Sequence, residues 1–141
     1  MADSPNGSGM LDLEVATPER ELVHLEVTDV EIPGKQGYLG VLPGHAPLLG
    51  LLGAGTLTYT LPGGAKRYLA IHSGFLEIIE DHVRVLANIA EAREEIDIER
   101  ARRALQRAQD ATINPALGVD PAAALEAMMR AQARIDTAER R

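Results

Sequence analysis

Cysteine is absent from the 141-residue chain, which excludes a disulfide framework, a thiolate metal site and a cysteine nucleophile together. A reducing compartment fits that absence without being required by it. Tryptophan is absent too, and Phe and Tyr make up only 3% of the chain, so a core has to be assembled from aliphatic side chains and alanine. The apolar fraction of 45% is that of a globular chain rather than a disordered one. No apolar run approaches the roughly 18 residues of a spanning helix, and Met1 to Met10 has neither a basic start nor an apolar stretch; the expectation is a soluble chain that is not exported. A net charge of −7 without a basic stripe argues against nucleic acid as a partner, because phosphates would repel it.

The period of the apolar pattern changes near residue 90. Before it, alternation dominates: Leu11, Leu13 and Val15, then Val23, Leu25 and Val27, then Leu57, Tyr59 and Leu61. Such runs predict strands with one face buried. Gly and Pro recur between them at Pro33-Gly34, Gly37, Gly40, Pro43-Gly44, Gly50, Gly53, Gly55, Pro62-Gly63-Gly64 and Gly74, which reads as turns between many short strands of a β-sandwich. The run Val83 to Ile89 alternates less cleanly.

From Glu91 to Leu117 there is no glycine, and Ala, Glu, Arg and Gln prevail, the composition of a helix. Acidic residues lead (Glu94, Glu95, Asp97, Glu99) and arginines follow (Arg100, Arg102, Arg103, Arg107), an order that suits the helix dipole. Asn114-Pro115 ends this helix and Asp120-Pro121 opens a second. The prediction is a β-sandwich over 10–90, then an antiparallel helical hairpin over 91–141 with helices at about 94–112 and 121–139, after a disordered start over 1–9. The hairpin's inward positions, Ala101, Ala104, Leu105, Ala108 and Ala111 facing Ala124, Leu125, Met128, Ala131 and Ile135, are mostly alanine. Each buried methyl is worth about 0.8 kcal/mol against about 1.5–3 for a leucine, so the hairpin is weakly anchored and suited to moving.

Three stretches carry a resemblance. Gly37-Tyr38-Leu39-Gly40-Val41-Leu42-Pro43-Gly44-His45-Ala46-Pro47-Leu48-Leu49 is similar to the motif of the ATP synthase epsilon family, G-x-x-G-x-x-P-G-H-A-P-L-L. Ser73-Gly74-Phe75-Leu76-Glu77-Ile78 resembles that family's S-G-G-F-L-E with one glycine missing, and Ala87-Asn88-Ile89-Ala90-Glu91 its A-x-x-A-E. The resemblance implies a rotor subunit of the central stalk, peripheral on the cytoplasmic face of the bacterial inner membrane. Its sandwich would couple the gamma subunit to the c ring, and its helical arm would restrain ATP hydrolysis by the α/β hexamer. The loop bearing the first motif would face the c ring and gamma, which makes Tyr38 and His45 contact candidates. On their own chemistry these Gly and Pro residues either shape a loop and nothing more or present such a contact.

Ile96-Asp97-Ile98-Glu99-Arg100-Ala101 matches I-D-x-x-R-A, by which some members of that family hold ATP. Asp97 and Arg100 share a helix face, Arg107 follows two turns later, and Arg130 and Arg134 lie four apart on the opposing helix. Four guanidinium groups could converge on a triphosphate. The resemblance implies that Glu91 and Asp97 contact the base and that Ala101 leaves room for adenine. Arg102 and Arg103 are then left for the inhibitory contact with a β subunit. The plain alternative is solvated pairing along the helix, Glu99 with Arg103 for example.

No required cofactor is expected, and ATP only as a regulator. His24, His72 and His82 show no metal-ligand spacing, and no P-loop, nucleophile elbow or dinucleotide fingerprint occurs. A stand-alone enzyme is therefore disfavoured. A β-sandwich adaptor with a mobile helical tail shares every physical feature above and stands as the alternative.

Overall fold

The computed structural model describes residues 9–140; the expectation of disorder over 1–9 falls, except for Gly9, outside them. Seven strands, β1 (Leu11–Ala16), β2 (Glu21–Val27), β3 (Asp29–Gly34), β4 (Gly37–Val41), β5 (Leu48–Thr60), β6 (Lys66–Ile79) and β7 (His82–Ala92), precede α1 (Ile98–Ile113) and α2 (Pro121–Ala138). The hydrogen-bonded order is β2-β1-β7-β6-β5-β3-β4, with β1 parallel to β7 and the other pairs antiparallel. Leu11, Leu13 and Val15 of β1 share one buried cluster with Val30 and Ile32 of β3 and Val41 of β4. These strands stand on opposite sides of the order, so the sheet folds over on itself around a single aliphatic core. That is the expected sandwich.

The bend has a signature in three strands at once. Along β6 the positions that enter the apolar cluster are Leu69 and Ile71, then Leu76 and Ile78; along β5 they step from Leu52 to Leu57, and along β7 from Ala87 to Ala90. Each step changes the parity, so a different face of the ribbon turns inward beyond it. Gly74, with φ 125°, sits at the step in β6. The uneven alternation of Val83 to Ile89 is this crossing.

Several sequence expectations are corrected. Gly50, Gly53 and Gly55 are not turns but lie within β5, and Gly74 lies within β6. A Cβ at Gly53 would meet the carbonyl oxygen of Gly34 at 2.7 Å, and one at Gly55 would run into the Tyr38 hydroxyl, so these two glycines admit neighbouring chain instead of reversing it. Gly37 to Leu49 is not one loop: Gly37–Val41 is strand, and the chain re-enters a strand at Leu48. The final strand continues to Ala92 instead of stopping at 90. The first helix begins at Ile98 and not near 94, because Arg93–Glu95 form a 3₁₀ turn and Asp97 then caps α1, its carboxylate accepting the Arg100 N–H at 3.1 Å.

Within the hairpin, Ala101, Ala108 and Ala111 are buried with Ala124, Ala131 and Ile135, whereas Leu125 is 55% exposed and not inward. The helix α2 has to serve two neighbours and turns a second stripe, Ala133 and Thr137, toward β5 and β6. That second contact is polar for its size. Thr137 and Thr56, both buried, share a hydrogen bond at 2.8 Å, and His72 Nε2 lies 2.9 Å from Glu126 Oε2. Among the described residues, none of the hairpin belongs to the sandwich's apolar cluster.

Candidate functional site

Where β7 leaves the sheet and α1 begins, the chain outlines a cavity of about 380 Å³ with α2 at its edge. Three carboxylates line it, Glu91, Glu95 and Asp97, with three guanidinium groups, Arg100, Arg107 and Arg134. Ala101 and Ala104 complete the wall. Glu91 pairs with Arg134 Nε, joining the end of β7 to α2. Glu95 takes Arg20, of the turn between β1 and β2, on both its oxygens at 3.1 and 2.5 Å. This hydrogen bond, with the guanidinium charge behind it, holds the Glu95 carboxyl below the usual carboxylate range, and the same bond raises Arg20.

Of the residues anticipated for a nucleotide, Glu91, Asp97, Arg100, Ala101, Arg107 and Arg134 meet in this cavity. Arg130 does not line it; it borders an adjoining groove between the helices, which Arg107 and Arg134 also border. Three guanidinium groups rather than four therefore face the cavity. Arg130 stands one helical turn before Arg134 on α2, about 6 Å along the axis, and of the two only Arg134 lines the cavity. Ile96 is half-buried and outside the lining. Glu95 and Ala104 were not anticipated. Glu95 looked like one of a run of leading acids, and only its partner 75 residues away singles it out.

Arg102 pairs with Glu99 at 2.7 Å and lies 3.6 Å from Glu139, so Glu99 takes Arg102 and not Arg103. At three residues' spacing the reach along the helix is as good as at four. Arg103 is exposed.

Tyr38 of β4 is 52% exposed, yet its hydroxyl accepts the Thr56 N–H at 2.9 Å and is thereby fixed over β5. His45 follows the Pro43-Gly44 turn and its Nδ1 donates to the Ala46 carbonyl at 2.6 Å. The turn is pinned from below: the Gly44 N–H donates to the buried Asp81 at 2.7 Å. An apolar patch went unforeseen. Leu49, Leu51, Phe75 and Leu86 stand exposed side by side across β5, β6 and β7, lining a shallow depression of about 440 Å³. The parity step that turns them outward leaves no local sign in the sequence.

Among the described residues no helix is long and apolar enough to cross a membrane. Residues 10–93 match the family described as "ATP synthase, Delta/Epsilon chain, beta-sandwich domain". Similar curated proteins are ATP synthase epsilon chains. That of Solibacter usitatus (strain Ellin6076) is 67% identical over 131 residues, 93% of this chain and 97% of that one. That of Moorella thermoacetica is 46% identical over 128 residues, 91% of this chain and 96% of the relative. The chain therefore belongs to the ATP synthase epsilon chain family. Among solved structures it is similar to a chain of the Euglena gracilis mitochondrial ATP synthase (OSCP/F1/c-ring), with a TM-score of 0.75 and 25% identity over 91% of this chain and 79% of that one.

Proposed function

We propose that the chain is the non-catalytic rotor subunit of an F-type ATP synthase, seated between the gamma subunit and the c ring in the central stalk, peripheral to the cytoplasmic face of the membrane. In this reading the sandwich transmits torque and the hairpin is a brake that regulatory ATP holds off. The exposed Leu49, Leu51, Phe75 and Leu86 suit a protein partner such as gamma, since contiguous apolar surface marks interaction sites. Tyr38 and His45 would contribute contacts to the ring or to gamma.

The observation that carries the braking role is the way the hairpin rests on the sandwich. Its docking stripe consists of alanine and hydrogen-bonded polar groups, which water can satisfy once the hairpin lifts off. The mixed cavity lies at that same seam and falls in the usual size range of ligand sites, about 300–1,000 Å³. Arg100, Arg107 and Arg134 would take the phosphates; Glu91 and Asp97 would meet the base beside Ala101. ATP held there favours the docked arrangement by its differential affinity, and by no more than that. Undocked, the hairpin would carry Arg102 and Arg103 to a β subunit and stop hydrolysis.

Two measurements test this. Isothermal calorimetry of the full chain with ATP should give saturable heat at or below millimolar concentration, and none would remove the nucleotide. A chain ending at Ala92, reconstituted into the complex, should assemble and raise ATP hydrolysis; an unchanged rate would remove the brake.

A further inference from the structure

We infer that Arg20, far from the hairpin in sequence, is a positioning residue for the nucleotide cavity: it neutralises and holds Glu95 so that a triphosphate does not meet a bare carboxylate. This rests on the ATP reading above. Of the three carboxylates in the cavity, Glu91 has Arg134 and Asp97 caps α1 through the Arg100 N–H. Glu95 has Arg20. Without that partner the cavity would hold one more uncompensated negative charge beside Arg100 and Arg107, where a polyanion has to sit.

Arg20 is built for holding rather than for touching the ligand. Its backbone is set by a tight turn, Thr17 N–H to the Arg20 carbonyl at 2.8 Å and Arg20 N–H to Thr17 Oγ1 at 3.3 Å. Its fork meets both oxygens of Glu95, which fixes the carboxylate's orientation as well as its charge. Arg20 does not line the cavity itself. The pair also ties the linker between β7 and α1 to the turn between β1 and β2, and in the docked structure it keeps Glu95 neutralised beside the cavity. The sandwich thus takes part in a site otherwise made from the linker and hairpin.

The test is calorimetric titration of the full chain with ATP in four versions: wild type, Arg20→Ala, Glu95→Gln, and the two combined. Arg20→Ala should weaken binding by about fivefold, a magnitude set by half-exposed charges. Glu95→Gln should bind as well as wild type or better, and adding it to Arg20→Ala should restore affinity. A clasp that acted only by holding the linker would make Glu95→Gln as harmful as Arg20→Ala, with no rescue, and that pattern overturns the inference. Wild-type affinity in Arg20→Ala overturns it as well. Absence of binding in the wild type removes the nucleotide reading itself, which keeps the two failures distinct.

Discussion

Replacing Thr137 by valine isolates the contact on which the hairpin's mobility depends. Valine keeps the shape and removes one hydroxyl. In the docked state Thr56, 1% exposed, then faces a methyl in place of the 2.8 Å partner it had on Thr137, itself 0% exposed. Leaving a buried hydroxyl unpaired costs about 1–3 kcal/mol. The cost applies only while α2 covers Thr56, because lifting the hairpin returns that hydroxyl to water. It therefore falls on the docking equilibrium and leaves the sandwich core, which shares no described hairpin residue, as stable as before. With tenfold per 1.36 kcal/mol, the ratio of docked to undocked chain should fall by roughly 5- to 150-fold. Thr56→Val should act alike. Combining them puts methyl against methyl and should restore docking to near or above the wild-type level, since replacing both partners removes the orphan.

The absence of cysteine makes the assay simple. Cysteines placed at exposed Gln132 on α2 and exposed Arg67 on β6 take a fluorophore pair, and the distance distribution reports the docked fraction. Single variants that dock like wild type, or a double variant no better than the singles, would refute the account of a hydroxyl pair that latches the hairpin.

Two further outcomes follow from the geometry. Gly74→Ala should cost about 2–4 kcal/mol of sandwich stability in denaturant titration, because Gly74 has φ 125° and a Cβ there would press on the Leu86 carbonyl and lie 2.9 Å from Ala87 Cα; a variant as stable as wild type would show that the strand crossing can relax. Acidification should weaken the Arg20–Glu95 tie: Glu95 titrates below its unfolded value, so its contribution is complete above the ordinary carboxylate range and is lost as pH falls through the lowered folded value. The label distance should show an acid-dependent loosening that Glu95→Gln lacks, and identical pH profiles would contradict it.

Local pattern made much of this molecule legible. Strand alternation and the switch to an alanine and arginine composition near residue 90 depend on neighbours one to four positions apart, which is what a sequence displays. The same holds for the Asp97, Arg100 and Arg107 face of α1. The glycines of β5 misled for the opposite reason: turn chemistry and close packing call for the same residue, and only the position of Gly34 and Tyr38 across the strand distinguishes them. The spacing of Arg130 from Arg134 puts both on one face of α2, but it does not say how far along the helix the cavity extends, and only Arg134 lines it.

Composition and period by themselves determined that an aliphatic sandwich would be followed by a lightly anchored helical pair, because burial of small and branched side chains at periods of two and 3.6 requires no knowledge of partners. Which charges meet was decided only in three dimensions. Arg20 reaches Glu95 and Thr56 reaches Thr137 across 75 and 81 residues, and the apolar patch on β5, β6 and β7 faces outward because of a bend shared by three strands. Such pairings arise from chain closure over long separations, and no local rule encodes them.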